Sequence, residues 1–149
     1  MKERFYVDAA GEYMKRLGGY CKAEVVEIQE HRLPDNPSDA QIMRALEKEH
    51  ALIAGKMLPG AMTTALCVEG VQLDSRGLSE MLADCAGRGT SRLVFAIGGS
   101  FGLHDSVKKS ADIKLSLSKM TFPHNLARII LLEQLYRAFI ISEGGKYHK

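Results

Sequence analysis

The stretch Phe95-Ala-Ile-Gly-Gly-Ser-Phe-Gly-Leu103 is an apolar run that breaks into three glycines within five residues, Gly98, Gly99 and Gly102. Glycines at the carboxyl end of a parallel strand let the backbone approach a ligand closely and adopt positive φ, and open α/β sheets bind ligands in crevices of this kind. A tight turn with no ligand satisfies the same residues, so both readings stand at this point. Two phosphate-binding patterns are excluded by spacing. A P-loop needs G-x-x-x-x-G-K-[ST], and no Lys-Ser or Lys-Thr follows Gly102. A dinucleotide fingerprint needs G-x-G-x-x-G near the first strand, and this G-G-x-x-G lies on a late one.

The segment LSLSKMTFPHNLARIILLEQLYRAF, residues 115–139, shifts the balance toward a ligand. It runs from strand to loop to a helix that is apolar on most of its circumference, through Leu126, Ile129, Ile130, Leu132, Leu135, Tyr136, Phe139 and Ile140. So wide an apolar surface must be covered on several sides, by the sheet and by another subunit. Pro123 stiffens the preceding loop, and amides freed at the helix start can face an anionic or polar ligand group.

The elements that must position these residues belong to one ordinary domain of 149 residues, 46% hydrophobic and 26% charged, large enough to bury a core without disulfides or a structural metal. The opening MKERFYVDAAGEYMKR has no signal-peptide core, and no run of about 18 uncharged apolar residues occurs anywhere, so no membrane partner is expected and the expected location is cytoplasmic. Cys21, Cys67 and Cys85 form no C-x-x-C pair and read as structural thiols. Without His or carboxylate clusters at ligand spacing, no metal is expected. Net charge is +2, but residues 104–149 carry +4 and the remainder −2, a basic bias that suits an anionic partner such as RNA as well as ordinary solvated surface.

There is no internal repeat and no linker. Residues 5–17 set Phe5, Tyr13, Met14 and Leu17 at helical spacing, and Gly18-Gly19 ends that helix. AEVVEIQ, residues 23–29, is β-branched and roughly alternating and predicts a strand. After the turn Pro34–Ser38, Ser38 is the N-cap of a helix to about Ala54 that buries Ile42, Leu46, Leu52 and Ile53. Uncharged runs at 62–68 and 92–97 read as parallel strands covered on both faces, with a short helix at 78–86 between them. A helix near 105–110, a strand at 113–117, the loop 118–123 and a long helix over about 125–142 complete an alternating order, so the class is α/β. The chain opens directly in a helix where a doubly wound domain usually opens with a strand, so either the fold is unusual or its first strand is absent from this chain.

FAIGGSFGL, LSLSKMTFPHNLAR, LLEQLYRAF and the terminal KYHK occur here in the order in which they occur in the RlmH family of SPOUT-class methyltransferases. TALCVEGVQLDS and KERFYVDAAGEYMKRL extend the resemblance over essentially the whole chain, 1–149, as one domain. The resemblance implies a parallel α/β sheet whose carboxyl-terminal part, about 62–149, is tucked into a deep trefoil knot, a rare exception to unknotted topology. It implies a homodimer, and S-adenosylmethionine held bent among three loops. Carried over, these are Leu66 at the end of the 62–68 strand, then Gly98 with Gly99 and Gly102 shaping the turn, then Leu117, Ser118, Lys119, Met120, Thr121 and Phe122. Leu66, Met120 and Phe122 would wall the adenine, although Leu66 and Phe122 fit equally as plain core residues. Family members carry a strand of about ten residues ahead of the KERF-like segment, which matches the strand expected to be absent here.

The activity implied is methylation of N3 of a pseudouridine in helix 69 of large-subunit ribosomal RNA, on the assembled ribosome. Such a step needs proton removal and in-line alignment of nitrogen, methyl carbon and sulfur. Under the resemblance Tyr147 can stack on a base, His148 can take the proton or bond the substrate, and Lys146 and Lys149 can meet phosphates. His124, at the start of its helix, is a base, an RNA contact or a structural residue. Arg128 and Arg137 reach RNA phosphate or pair with an acid such as Glu133, one turn from Arg137. Two rival classes are a non-catalytic RNA- or ribosome-binding module, which the absent strand would favour, and a small-molecule α/β enzyme that uses the glycine turn for a nucleotide.

Overall fold

The computed structural model describes residues 3–29 and 32–143. Local punctuation decides where most elements start and stop. Helix α1 spans Arg4–Leu17 and stops where Gly18-Gly19 begins, with Lys15 and Arg16 in its last turn opposing the negative end of the helix dipole. Helix α2, Asp39–Lys56, starts at a capping box: the Ser38 hydroxyl accepts from the Gln41 amide at 3.2 Å and the Gln41 side chain accepts from the Ser38 amide at 2.8 Å. Strand β1 covers Met62–Gln72, and α3 covers Ser75–Gly87 with Asp74 accepting from the Gly77 amide at 2.7 Å. Strand β2 is Leu93–Ala96, α4 is Asp105–Ser110, β3 is Ile113–Ser116 and α5 is His124–Ser142.

Among the described residues the architecture is α/β, with three parallel strands in the order β2-β1-β3. The β1 strand therefore lies in the middle. Its Thr63 is clasped by Asp112 just ahead of β3: the Asp112 carboxylate accepts from the Thr63 amide at 2.8 Å and the Asp112 amide donates to the Thr63 carbonyl at 2.9 Å. The pairing of β1 with β3 then breaks, because Leu66 and Val71 both align with Leu115 and residues 67–70 bulge out. Gly70 closes this bulge against the neighbouring strand, where a Cβ would stand 2.6 Å from the Lys114 backbone.

The wide apolar surface of α5 has two neighbours within this chain. On one side Leu78 and Leu82 of α3 meet Leu115 of β3 and Ala138 of α5, with Phe95 and Leu135 packed around them. On the other, Ala10 and Leu17 of α1 pack against Leu132. Each large side chain buried in this way contributes roughly 1.5–3 kcal/mol. A polar pin joins the same elements, since the buried Ser79 hydroxyl donates to the Ala138 carbonyl at 3.0 Å and lies 2.8 Å from the Ser142 hydroxyl.

Three sequence expectations fail here. Residues 23–29 carry no regular structure, and Val25 and Val26 are exposed. β-branched composition makes a strand only where a ladder partner is in reach, and this segment is held instead by Ala23 on the α1–α5 core and by Glu27 on Arg128. Leu52 lies on a helix as expected but is exposed, because the helical period alone does not select the buried face, and α2 buries Ala45 instead. The 62–68 strand continues to Gln72, since the bulge lets pairing resume beyond Glu69.

Candidate functional site

The strand register sets Leu66, inside β1 where its ladder breaks, beside the carboxyl ends of β2 and β3. Ala65 aligns with Ala96, so Leu66 emerges beside the exit of β2 into Ile97-Gly98, and Leu66 aligns with Leu115, two residues before Leu117. Two segments of the expected cofactor site thus leave the carboxyl ends of β2 and β3, level with Leu66 at the start of the β1 bulge, and α/β sheets bind ligands at that end.

In the middle segment the glycines serve each other first. Gly98 lies so close to Gly102 that a Cβ on it would stand 2.3 Å from the Gly102 carbonyl carbon. Gly102 holds φ +79°, a left-handed conformation that side chains resist, and its amide donates to the Gly99 carbonyl at 3.1 Å. The loop is therefore folded on itself, with Ser100 and Phe101 at its exposed tip. Its return is anchored by Leu103, which is buried with Ala65 and Val107. His104 then caps α4, its Nδ1 accepting from the Ser106 amide at 3.0 Å, while its ring stacks on His50 of α2 with centroids 5.3 Å apart.

The third segment is shaped by two serines. The Ser116 hydroxyl donates to the Ser118 carbonyl at 2.9 Å, and the Ser118 hydroxyl accepts from the Met120 amide at 3.0 Å, a local turn that fixes the path after β3. This turn leaves Met120 74% exposed, the most exposed large apolar side chain among the described residues. Lys119 and Thr121 are exposed as well, whereas Leu117 and Phe122 are half-buried, as is Leu66. Pro123, at φ −55°, opens α5 without a side-chain cap, so the first-turn amides of this helix lack an internal partner.

The other candidates are placed unequally. His124 is half-buried at the first position of α5. Arg128 pairs at 2.8 Å with Glu27, whose carboxyl it holds below the usual range by hydrogen bond and charge. Arg137 Nε donates to Glu133 at 2.7 Å, the acid one turn away, and both side chains are well covered. At 1.5 Å rise per residue Arg137 stands about 20 Å along α5 from His124, well removed from the loop end. Lys146, Tyr147, His148 and Lys149 lie outside the described residues.

One feature of the site is invisible to motif reading. Lys108 of α4 bonds Glu69 in the β1 bulge at 2.6 Å, which joins the helix after the glycine loop to the segment after Leu66. This contact lowers the Glu69 carboxyl and raises the Lys108 ammonium against its own burial. Burial, followed by the Glu69 charge, raises the Cys67 thiol. Pairing across 39 positions leaves no local signal; in the sequence the two residues are a charge at a strand end and a charge on a short helix. Among the described residues no group of three or more His, Cys, Asp or Glu side chains could hold a metal ion, and no helix is long and apolar enough to cross a membrane.

Comparison with known proteins bears on this geometry directly. A family model described as "Predicted SPOUT methyltransferase" matches residues 1–148. The chain is 42% identical over 149 residues to a protein named ribosomal RNA large subunit methyltransferase H from Streptococcus sanguinis (strain SK36), an alignment that covers all of this chain and 94% of that relative.

Proposed function

This chain belongs to the SPOUT methyltransferase family, and from that premise we propose that it methylates large-subunit ribosomal RNA with S-adenosylmethionine, in the cytoplasm, as a homodimer whose carboxyl-terminal part forms the trefoil knot. The target proposed is N3 of a pseudouridine in helix 69, on the assembled ribosome. The observation that supports this reading is the strand register, which sets Leu66 level with the ends of β2 and β3, the strands from which the Gly98–Gly102 and Ser118–Phe122 loops depart.

The donor set fits an adenosyl group. Half-buried Leu66 and Phe122 and the uncovered thioether of Met120 supply apolar surface for a flat base, and the backbone of the two loops supplies donors and acceptors for its edge and for a ribose. When bound, S-adenosylmethionine supplies a methyl group activated by its sulfonium.

The chain's own residues do the rest. Gly98, Gly99 and Gly102 hold the loop in the one shape their mutual packing allows, and Leu117, Ser118, Lys119 and Thr121 line the opposite wall. The N3–H proton must leave as the nitrogen takes the methyl group, so a base and cationic surroundings are needed. His148 takes that proton or bonds the substrate, and Tyr147 stacks on the base. His124 contacts RNA at the start of α5, while Lys146 and Lys149 meet phosphates. Arg128 and Arg137 would offer phosphate the guanidinium donors that are not engaged with Glu27 and Glu133.

The decisive experiment follows methyl transfer from labelled S-adenosylmethionine to assembled ribosomes and to free ribosomal RNA, with wild type and His148→Ala. The expected result is labelling of ribosomes by wild type and strong loss with His148→Ala. Equal labelling by both proteins removes His148 from the mechanism, and labelling of neither substrate overturns the function.

A further inference from the structure

The Leu66 wall of the site is weakly supported by the sheet. Pairing with β2 ends at Ala65, and pairing with β3 lapses from Leu66 to Val71, so residues 67–70 depend on other contacts. Gly70 is jammed against the Lys114–Leu115 backbone at one end of this bulge. Ahead of it Val68 is 50% exposed, and Glu69 reaches out to Lys108, whose side chain is only 24% exposed. Lys108 is anchored independently. Its helix begins directly after the glycine loop, and the adjacent Val107 is buried with Leu103 and Ala65.

We propose that Lys108 and Glu69 are positioning residues whose ion pair fixes the spacing between the Leu66 wall and the glycine loop, and so sets the width of the cofactor cleft. The inference rests on the cofactor reading above. A partly exposed ion pair contributes little to global stability, so its effect falls on the shape of the cleft. The neighbouring Cys67 supplies a reporter, because its half-buried thiol sits in the bulge, near enough to Glu69 and Lys108 to feel both charges.

The test uses a Cys21→Ser background, since Cys21 is exposed while Cys85 is buried. Alkylation of Cys67 by iodoacetamide is timed in that protein, in Lys108→Met, which keeps the apolar stem, in Glu69→Gln, and in the charge swap Lys108→Glu with Glu69→Lys. S-adenosylmethionine binding to each is measured by calorimetry. With each rate normalised to its thiolate fraction from the pH dependence, which removes the opposite effects of the Glu69 and Lys108 charges on the thiol, the single variants are expected to alkylate faster and to bind S-adenosylmethionine about tenfold more weakly, the size of a typical coupling energy, with an unchanged melting temperature. The charge swap is expected to restore both. Unchanged alkylation and affinity in the single variants, or a swap that restores neither, overturns the inference. Failure of the parent protein to bind S-adenosylmethionine overturns the cofactor reading instead, and is told apart because the alkylation contrast needs no cofactor.

Discussion

Gly98 and Gly102 meet backbone to backbone, with room for no atom between them: a Cβ on Gly98 would lie 2.3 Å from the carbonyl carbon of Gly102. The contact is not reciprocal, since a Cβ on Gly102 meets nothing within 4 Å and is opposed only by the φ of +79°. Gly98→Ala is therefore expected to spread the loop and abolish S-adenosylmethionine binding, as read by calorimetry. Gly102→Ala is expected to cost about 1–2 kcal/mol in denaturant unfolding and to weaken binding without removing it.

Met120 gives the opposite pattern. At 74% exposure it holds little of the fold, so Met120→Ala should leave unfolding within about 0.5 kcal/mol of wild type. If the side chain covers a bound adenine, KM for S-adenosylmethionine should rise several-fold with kcat nearly unchanged. A lowered kcat with constant KM would remove Met120 from the cofactor wall.

The Glu27–Arg128 pair predicts a pH dependence of fixed sign. Arg128 holds the Glu27 carboxyl below its unfolded value, so the stability it contributes is present above that unfolded value and is lost as pH falls through the lowered one. The melting temperature of wild type should exceed that of Glu27→Gln near pH 7, and the gap should close below about pH 4. A gap that persists into acid would assign Glu27 a role other than charge pairing.

The stacked histidines separate in the same kind of measurement. His50 Nδ1 is buried with no hydrogen-bond partner among the described residues, whereas His104 Nδ1 caps α4 through the Ser106 amide. An apolar substitute removes a desolvated nitrogen at position 50, so His50→Leu should be neutral or stabilising. His104→Ala should cost about 1 kcal/mol through the lost cap. Equal destabilisation by both would place the stabilisation in the ring stack itself.

What the sequence made legible was whatever its neighbours decide within a turn or two. Ser38 as an N-cap, Gly18-Gly19 and the Arg137–Glu133 pair are local signals, and each one is found in the fold. The helix Asp105–Ser110 was readable for the same reason. Residues 23–29 were misread because a strand is a property of two segments, and the sequence displays only one of them. Leu52 was placed inside on period alone, although Ile53 beside it is the residue that packs on the core. At the site the glycines stood out, but not the reason for Gly98, which is another glycine four residues on. The Lys108–Glu69 tie depends on a bulge that no spacing rule foretells.

The strand order β2-β1-β3 also has a consequence for how the protein is made. Of these three strands the middle one is synthesised before both of its neighbours, the last of which is complete only when Ser116 has been added. At about 5–20 residues per second, the uncharged stretch from Met62 to Val68 has two unsatisfied edges until Ala96 is made, roughly 1–6 s after Val68, and one until Ser116 is made, roughly 2–10 s after Val68. During that interval it resembles the segments that recruit chaperones or pair with other nascent chains. Yield in cells should then respond to translation speed between residues 62 and 116, even where the finished protein is indifferent to it.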